Sequence, residues 1–257
     1  MRAALVQLSL VWEDWAANHG RAARLLKRAA EAGADLAILP EMFATGFSMD
    51  GARIAQPEGG PTEQWLKGMA RGLGMHLIAG VAETAAPLPK NNALLVSPEG
   101  EVRRWSKLHP FTFAGEDKAF SPGSGVVTWT VGGVRITPQI CYDLRFPEPF
   151  RLAAADTDAF VVIANWPDRR REHWQTLLRA RAIENLAYVL GVNRVGDDGT
   201  GVHHTGDSAA IGPWGETLLS ASEVETVLVV DLDPDVVKTA RAKFHVLADR
   251  RPESYRR

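Results

Sequence analysis

Cys141 is the single cysteine of the chain. It follows the apolar run Val134 to Ile140 and precedes Tyr-Asp-Leu-Arg-Phe-Pro, so it stands at a strand end, where α/β sites are usually built. Its plain alternative is a small buried hydrophobe. Glu41 stands directly after Asp35 to Pro40 (DLAILP), at the end of another strand. Held in an apolar pocket with Met42 and Phe43, a carboxylate there can act as a general base; its plain alternative is a solvated loop residue. Lys107 closes the run Val102 to Ser106. An ammonium beside a thiol lowers the thiol pKa from about 8.5 and can hold an oxyanion. Thiol, carboxylate and ammonium together suit attack on an amide, a poor electrophile with a poor leaving group. One carboxylate can take the thiol proton, pass it to the leaving nitrogen and then activate water. Arg145 lies in the segment after Cys141. In a pocket it grips a carboxylate through two parallel hydrogen bonds; otherwise it pairs with Glu148 or Asp143. Trp166 and Phe43 are pocket walls or plain core.

The elements that must position these groups alternate between strand and helix. Ala3 to Leu8 reads as a strand, and Ala16 to Ala32 as a helix that Gly33 can cap. DLAIL is a buried strand stopped by Pro40. Thr62 to Leu73 reads as a helix with Thr62 as N-cap, and His76 to Val81 as a strand. Asn92 to Val96 with Val102 to Trp105 predicts a hairpin. Val126 to Val131 with Val134 to Cys141, around Gly132-Gly133, predicts a second. Phe160 to Ala164 is a strongly apolar strand, Arg171 to Tyr188 the clearest helix, and Val189 to Val195 a strand. Ser208 to Ile211 and Thr226 to Asp231 are strands, followed by a helix opening at Pro234. An α/β chain with this many hairpins fits a mixed sheet, or two sheets face to face with helices outside, better than one parallel sheet.

The formal net charge of -2 offers no basic field for nucleic acid or anionic membrane. One thiol forms no internal disulfide, the N-terminal apolar stretch ends at Glu13 and Asp14, and no window is apolar enough to span a membrane. A soluble cytoplasmic protein is the expectation. The 257 residues fit a single domain, and no long linker divides them. His203, His204 and Asp207 crowd one loop too closely to complete a metal site. GDDGTG lacks the GK[ST] of a phosphate loop and reads as a turn. DRRRE, residues 168–172, reads as a solvent-exposed charge run.

PEMFATGF, KLHPF with FAGE following, and CYDLRFPE resemble the three signature blocks of the nitrilase superfamily of carbon-nitrogen hydrolases. ANWP, RARAIEN, GVNRVG and GPWGE are similar to that family as well, and the branch most resembled is the bacterial omega-amidase-like group. The resemblance implies an α/β fold, a four-layer αββα sandwich of two mixed sheets with helices outside, as one domain over residues 1–257. It implies Cys141 as nucleophile, Glu41 as general base, and Lys107 with the backbone N–H of Tyr142 as oxyanion holders. Glu116 matches the second glutamate that orients the lysine and helps position substrate, although Asp117 is adjacent. Arg145 would bind the far carboxylate of a dicarboxylate monoamide such as 2-oxoglutaramate or 2-oxosuccinamate. An N-carbamoyl amidohydrolase, a nitrilase and a non-catalytic scaffold on the same fold are the alternatives. The implied partners are a small-molecule amide and a second copy in a homodimer, with no cofactor required.

Overall fold

The computed structural model describes residues 1–255. Its strands form two six-stranded sheets. The first runs Thr226–Asp231 (β12), Arg2–Gln7 (β1), Leu36–Ile38 (β2), His76–Glu83 (β3), Lys90–Val96 (β4), Val102–Ser106 (β5). The second runs Thr217–Ser222 (β11), Gly206–Ile211 (β10), Tyr188–Asn193 (β9), Ala159–Ala164 (β8), Val134–Ile140 (β7), Trp129–Val131 (β6). Each sheet has a parallel centre (β1-β2-β3 and β7-β8-β9) and antiparallel flanks. The parallel strands are buried on both faces, which is why DLAIL and FVVIA are continuous apolar runs.

The alternation of side chains along each strand builds the layers. Leu5, Ile38 and Ile78 face Ile140, Val161, Ile163 and Leu190 across the space between the sheets. Val6, Leu39 and Leu77 point the other way, onto Trp15–Glu31 (α1) and Pro61–Leu73 (α3). Phe160 and Val162 point outward onto Pro147–Ala153 (α5) and Arg171–Asn185 (α6). Helix, sheet, sheet and helix therefore stack as four layers, as the resemblance implies. Pro234–Lys243 (α7) opens at its proline, and Gly51–Ile54 (α2) and Glu116–Ala119 (α4) are single turns.

Several boundaries differ from the sequence reading. Gly60, not Thr62, caps α3, with Pro61 in the first turn; the Thr62 N–H bonds instead to Gln56 Oε1 at 2.8 Å. Helix α6 stops at Asn185 because Leu186 turns left-handed (φ 46°) and sends Tyr188 into β9. Strand β11 went unpredicted: it lies at a sheet edge and is largely exposed, so it carries no burial alternation.

His19 on α1 is buried, stacked 4.4 Å from the Trp65 ring, and within 3.2 Å of Thr62 Oγ1. Burial lowers its pKa from 6.5 to about 4. The folded chain thus keeps this imidazole neutral while the unfolded chain protonates it. Its contribution to stability is full above pH 6.5 and is lost as pH falls toward 4. The loss is on the order of 3 kcal/mol. Urea denaturation of wild type and His19→Gln across that range should show a flatter pH slope for the variant; equal slopes would remove His19 from the acid lability.

Candidate active site

The site forms where strand ends from both sheets meet. From the first sheet, β2 runs out through Pro40 into Glu41, and Met42 adopts a left-handed φ of 44°. Strand β3 presses against this bend. The Phe43 N–H donates to the Gly80 carbonyl at 3.1 Å, and a Cβ on Gly80 would lie 2.4 Å from Glu41 Cα. Only glycine allows that approach. Gly80→Ala is therefore expected to destabilise the fold by about 1–3 kcal/mol and to lower kcat by displacing Glu41, measured by thermal melting alongside turnover. Unchanged melting and kcat would show that the backbone yields at no cost.

From the second sheet, β7 ends at Ile140, and Cys141 opens a 3-10 turn, Cys141–Arg145, with its own φ at 48°. Such a left-handed non-glycine residue is strained and is held by its surroundings. Asp143 is the brace. Its Oδ2 accepts from the Ile140 N–H at 3.2 Å, and its Oδ1 accepts from the His109 N–H at 2.9 Å. His109 follows Lys107 closely in sequence, so one carboxylate ties the thiol's turn to the lysine's loop.

Lys107 Nζ is buried between two carboxylates. It donates to Glu41 Oε1 at 2.9 Å and to Glu116 Oε1 and Oε2 at 3.1 and 2.8 Å. Asn91 on β4 divides its amide between the same pair, at 2.8 Å to Glu41 and 2.9 Å to Glu116. The Asn165 N–H, just past β8, donates to Glu41 Oε2 at 2.9 Å, and the Asn165 side chain donates to the Glu41 carbonyl at 2.7 Å. The Phe111 N–H completes Glu116 at 2.6 Å. Cys141 Sγ lies 4.0 Å from the Asn165 carbonyl.

Charge in this enclosed cluster decides the protonation states. The two carboxylates outweigh the cost of burying the ammonium and hold the Lys107 pKa above the ordinary lysine value. The Cys141 thiol is pushed well above the ordinary range, first by burial and then by the Glu41 charge, with Lys107 pulling the other way by less. Lys107 acts on the thiol in the expected direction, and burial together with the Glu41 charge outweighs it. The surroundings of Glu41 are a shell of donors rather than the apolar pocket expected.

Cys141, Tyr142, Arg145 and Trp166 line one cavity of about 340 Å³. Arg145 lies over Trp166, 4.8 Å from the ring centroid, and Arg145 Nη2 is 3.1 Å from His173 Nδ1. Among the described residues it pairs with no carboxylate, so neither Glu148 nor Asp143 occupies it. Phe43 is a correction. It is fully buried in the layer between the first sheet and its helices, 5.7 Å from Trp65, and lines no part of the cavity. The DRRRE run is a second correction, because Arg170 is half-buried and lines the cavity while Arg171 pairs with Asp207. The loop residues His203, His204 and Asp207 diverge to separate partners, and Asp198 closes the expected turn by accepting from Thr200 and Val202.

The carbon-nitrogen hydrolase family model matches residues 2–242. The chain belongs to the carbon-nitrogen hydrolases. It is 40% identical over 254 residues to the omega-amidase YafV of Yersinia enterocolitica, covering 97% of this chain and 96% of that one. It is 31% identical to the 2-oxoglutaramate amidase of Bacillus subtilis, covering 86% and 87%. The solved XC1258 of Xanthomonas campestris, a CN-hydrolase superfamily protein with an arsenic adduct in its active site, superposes with a TM-score of 0.93 at 37% identity, covering 98% and 97%. A mutant amidase from Nesterenkonia sp. AN1, carrying acrylamide added to its active site cysteine, gives a TM-score of 0.82 at 28% identity, covering 95% and 98%. Against this carbon-nitrogen hydrolase background, the residues missed from sequence are those that hold rather than react. Asn91, Asn165 and Asp143 are ordinary polar residues at strand ends, and only the pairing of the sheets brings them to the carboxylates and the thiol's turn.

Proposed function

We propose that this chain is a cysteine-dependent ω-amidase that converts a small dicarboxylate monoamide, of the 2-oxoglutaramate or 2-oxosuccinamate type, to the acid and ammonia. The observation that carries the reading is Lys107 bridging two buried glutamates beside Cys141, with Arg145, which pairs with no carboxylate among the described residues, in the same cavity. The relatives named for omega-amidase and 2-oxoglutaramate hydrolysis support it.

Burial and the Glu41 charge favour the protonated thiol, and its proton passes to Glu41 as sulfur attacks the amide carbon. The carbonyl electron pair moves to oxygen, and Lys107 Nζ with the Tyr142 backbone N–H holds that charge. The C–N bond then breaks, Glu41 returns the proton to nitrogen, and ammonia leaves a thioester. Water gives a proton to Glu41 and attacks the thioester; the sulfur leaves and recovers a proton. Glu116 is the fixed counter-charge that aims Lys107. Arg145, supported from below by Trp166, grips the far carboxylate.

The same proposal places the chain in the cytoplasm as a homodimer of single-domain subunits acting on a small amide, not on nucleic acid or lipid. The net charge of -2 supports it, and among the described residues no helix is long and apolar enough to cross a membrane. Ammonia release from 2-oxoglutaramate, 2-oxosuccinamate, succinamate, an N-carbamoyl amino acid and a simple nitrile tests the substrate class. Turnover confined to the ω-amides is expected; turnover confined to the carbamoyl compound or the nitrile would discard the class and keep the chemistry.

A further inference from the structure

Three arginines, Arg145, Arg169 and Arg170, line the cavity beside Cys141 against one carboxylate, Asp198, whose Oδ1 accepts from the Thr200 and Val202 N–H groups. Arg170 precedes α6 and lines the same cavity as Arg145. Its guanidinium lies over the Phe111 ring, 5.2 Å from the centroid. Phe111 packs 4.9 Å from Tyr142, and Arg145 lies over Tyr142 at 5.9 Å. The two guanidinia thus sit on one aromatic pair. Trp166 joins them from the other side: its ring supports Arg145, and its Nε1 donates to the Arg170 carbonyl at 2.8 Å. Among the described residues, the Arg170 guanidinium has neither a carboxylate partner nor a hydrogen bond. A half-buried cation without an anionic partner is costly, and a bound anion relieves that cost. Burial, and then the charges of Arg169 and Arg145, lower the Arg170 pKa from its ordinary value. A bound anion would offset the repulsion between these charges.

We infer that Arg170 is the second arm of a two-guanidinium grip on the anionic end of the substrate, with Arg145 as the first. The inference rests on the ω-amidase reading and deepens it by assigning a specificity residue on a different element. The substrate class it names is an amide whose far end carries a full negative charge between two planar forks, rather than a neutral amide of the same length. A charge-assisted hydrogen bond that is present only with the anionic ligand discriminates by about tenfold to a hundredfold.

The test compares kcat/KM for glutaramate and for pentanamide, its neutral counterpart, in wild type, Arg170→Gln and Arg170→Lys. In Arg170→Gln the acid-to-neutral ratio should fall by about tenfold or more, through KM. Arg170→Lys should recover part of that ratio, because an ammonium keeps the charge and loses the fork. Turnover of pentanamide in the same preparation reports that the variant is folded. A ratio within about threefold of wild type in both variants would overturn the second arm and leave the ω-amidase reading intact. A wild type with no preference for the acid would remove both.

Discussion

Glu41→Gln is expected to lower kcat by about 10²–10⁴ while making the Cys141 thiol more acidic. The two effects have opposite signs for one reason. Glu41 is the proposed proton acceptor, and its charge is also the largest influence after burial that keeps the thiol protonated. Removing the charge lowers the thiol pKa; removing the acceptor removes the route by which its proton leaves during attack and returns to the departing nitrogen. The replacement is isosteric without being equivalent. Glu41 Oε1 accepts from Lys107 and Asn91, and Oε2 accepts from the Asn165 N–H. A carboxamide must turn its NH₂ toward one of these sets, donor against donor, so about 1–3 kcal/mol of stability is lost as well. Steady-state ammonia release gives the first effect, and the pH dependence of iodoacetamide labelling at Cys141 gives the second. A midpoint that falls while kcat falls identifies Glu41 as the base. A kcat within about tenfold of wild type would assign the proton transfer elsewhere.

Under the proposed mechanism, the site activates its nucleophile as substrate arrives. Lys107 carries one positive charge and faces two carboxylates, so its charge is spent on them at rest. In the proposed mechanism it acts as an oxyanion holder when the Glu41 carboxylate takes a proton, which frees its field for the developing negative oxygen. Proton transfer and oxyanion stabilisation are then one event, and Glu116 is the carboxylate that keeps Lys107 in place throughout.

Glu41 and Cys141 each follow an apolar run read as a strand, whereas Lys107 follows the half-exposed VRRWS and was legible only through the resemblance of KLHPF, beside PEMFATGF and CYDLRFPE, to the family's blocks. The layered fold was legible from the apolar runs: DLAIL and FVVIA have no polar face, so they need cover on both sides. The environment of the groups was not legible. Whether Lys107 acidifies Cys141 depends on how many carboxylates surround the ammonium, and Glu116 reaches it only through the fold of the loop that also supplies the Phe111 N–H. Phe43 looks like a pocket wall from its place beside Glu41. Strand β3 binds its backbone, and His19 and Trp65 take its ring into the helix layer. Arg170 looked solvated because a run of like charges usually is; the turn before α6 brings Arg169 and Arg170 to the cavity, and Arg170 is the half-buried one.

Cys141→Ala is expected to lower turnover of every amide by about 10⁴-fold or more while leaving the fold in place. The sulfur packs at the edge of two core clusters and lies 4.0 Å from the Asn165 carbonyl, so its removal leaves a gap of about one atom. The turn around it is held by backbone pairing and by Asp143, whose bonds to Ile140 and His109 do not involve the side chain at position 141. Alanine therefore keeps the left-handed backbone and its strain, and the Glu41–Lys107–Glu116 cluster keeps its geometry. What disappears is the bond that makes the thioester. The remaining donors can still polarise an amide toward water, but water must then attack the amide itself, with no covalent intermediate to divide the barrier. Cys141→Gly separates the two roles of this position. It should be as inactive as the alanine variant and more stable by about 1 kcal/mol, because glycine adopts a φ of 48° without strain. Thermal melting of both variants beside their ammonia release measures this directly. Activity surviving in either one would mean that the thiol is not the nucleophile, and equal melting would mean that the bend at 141 stores no strain for the reaction to use.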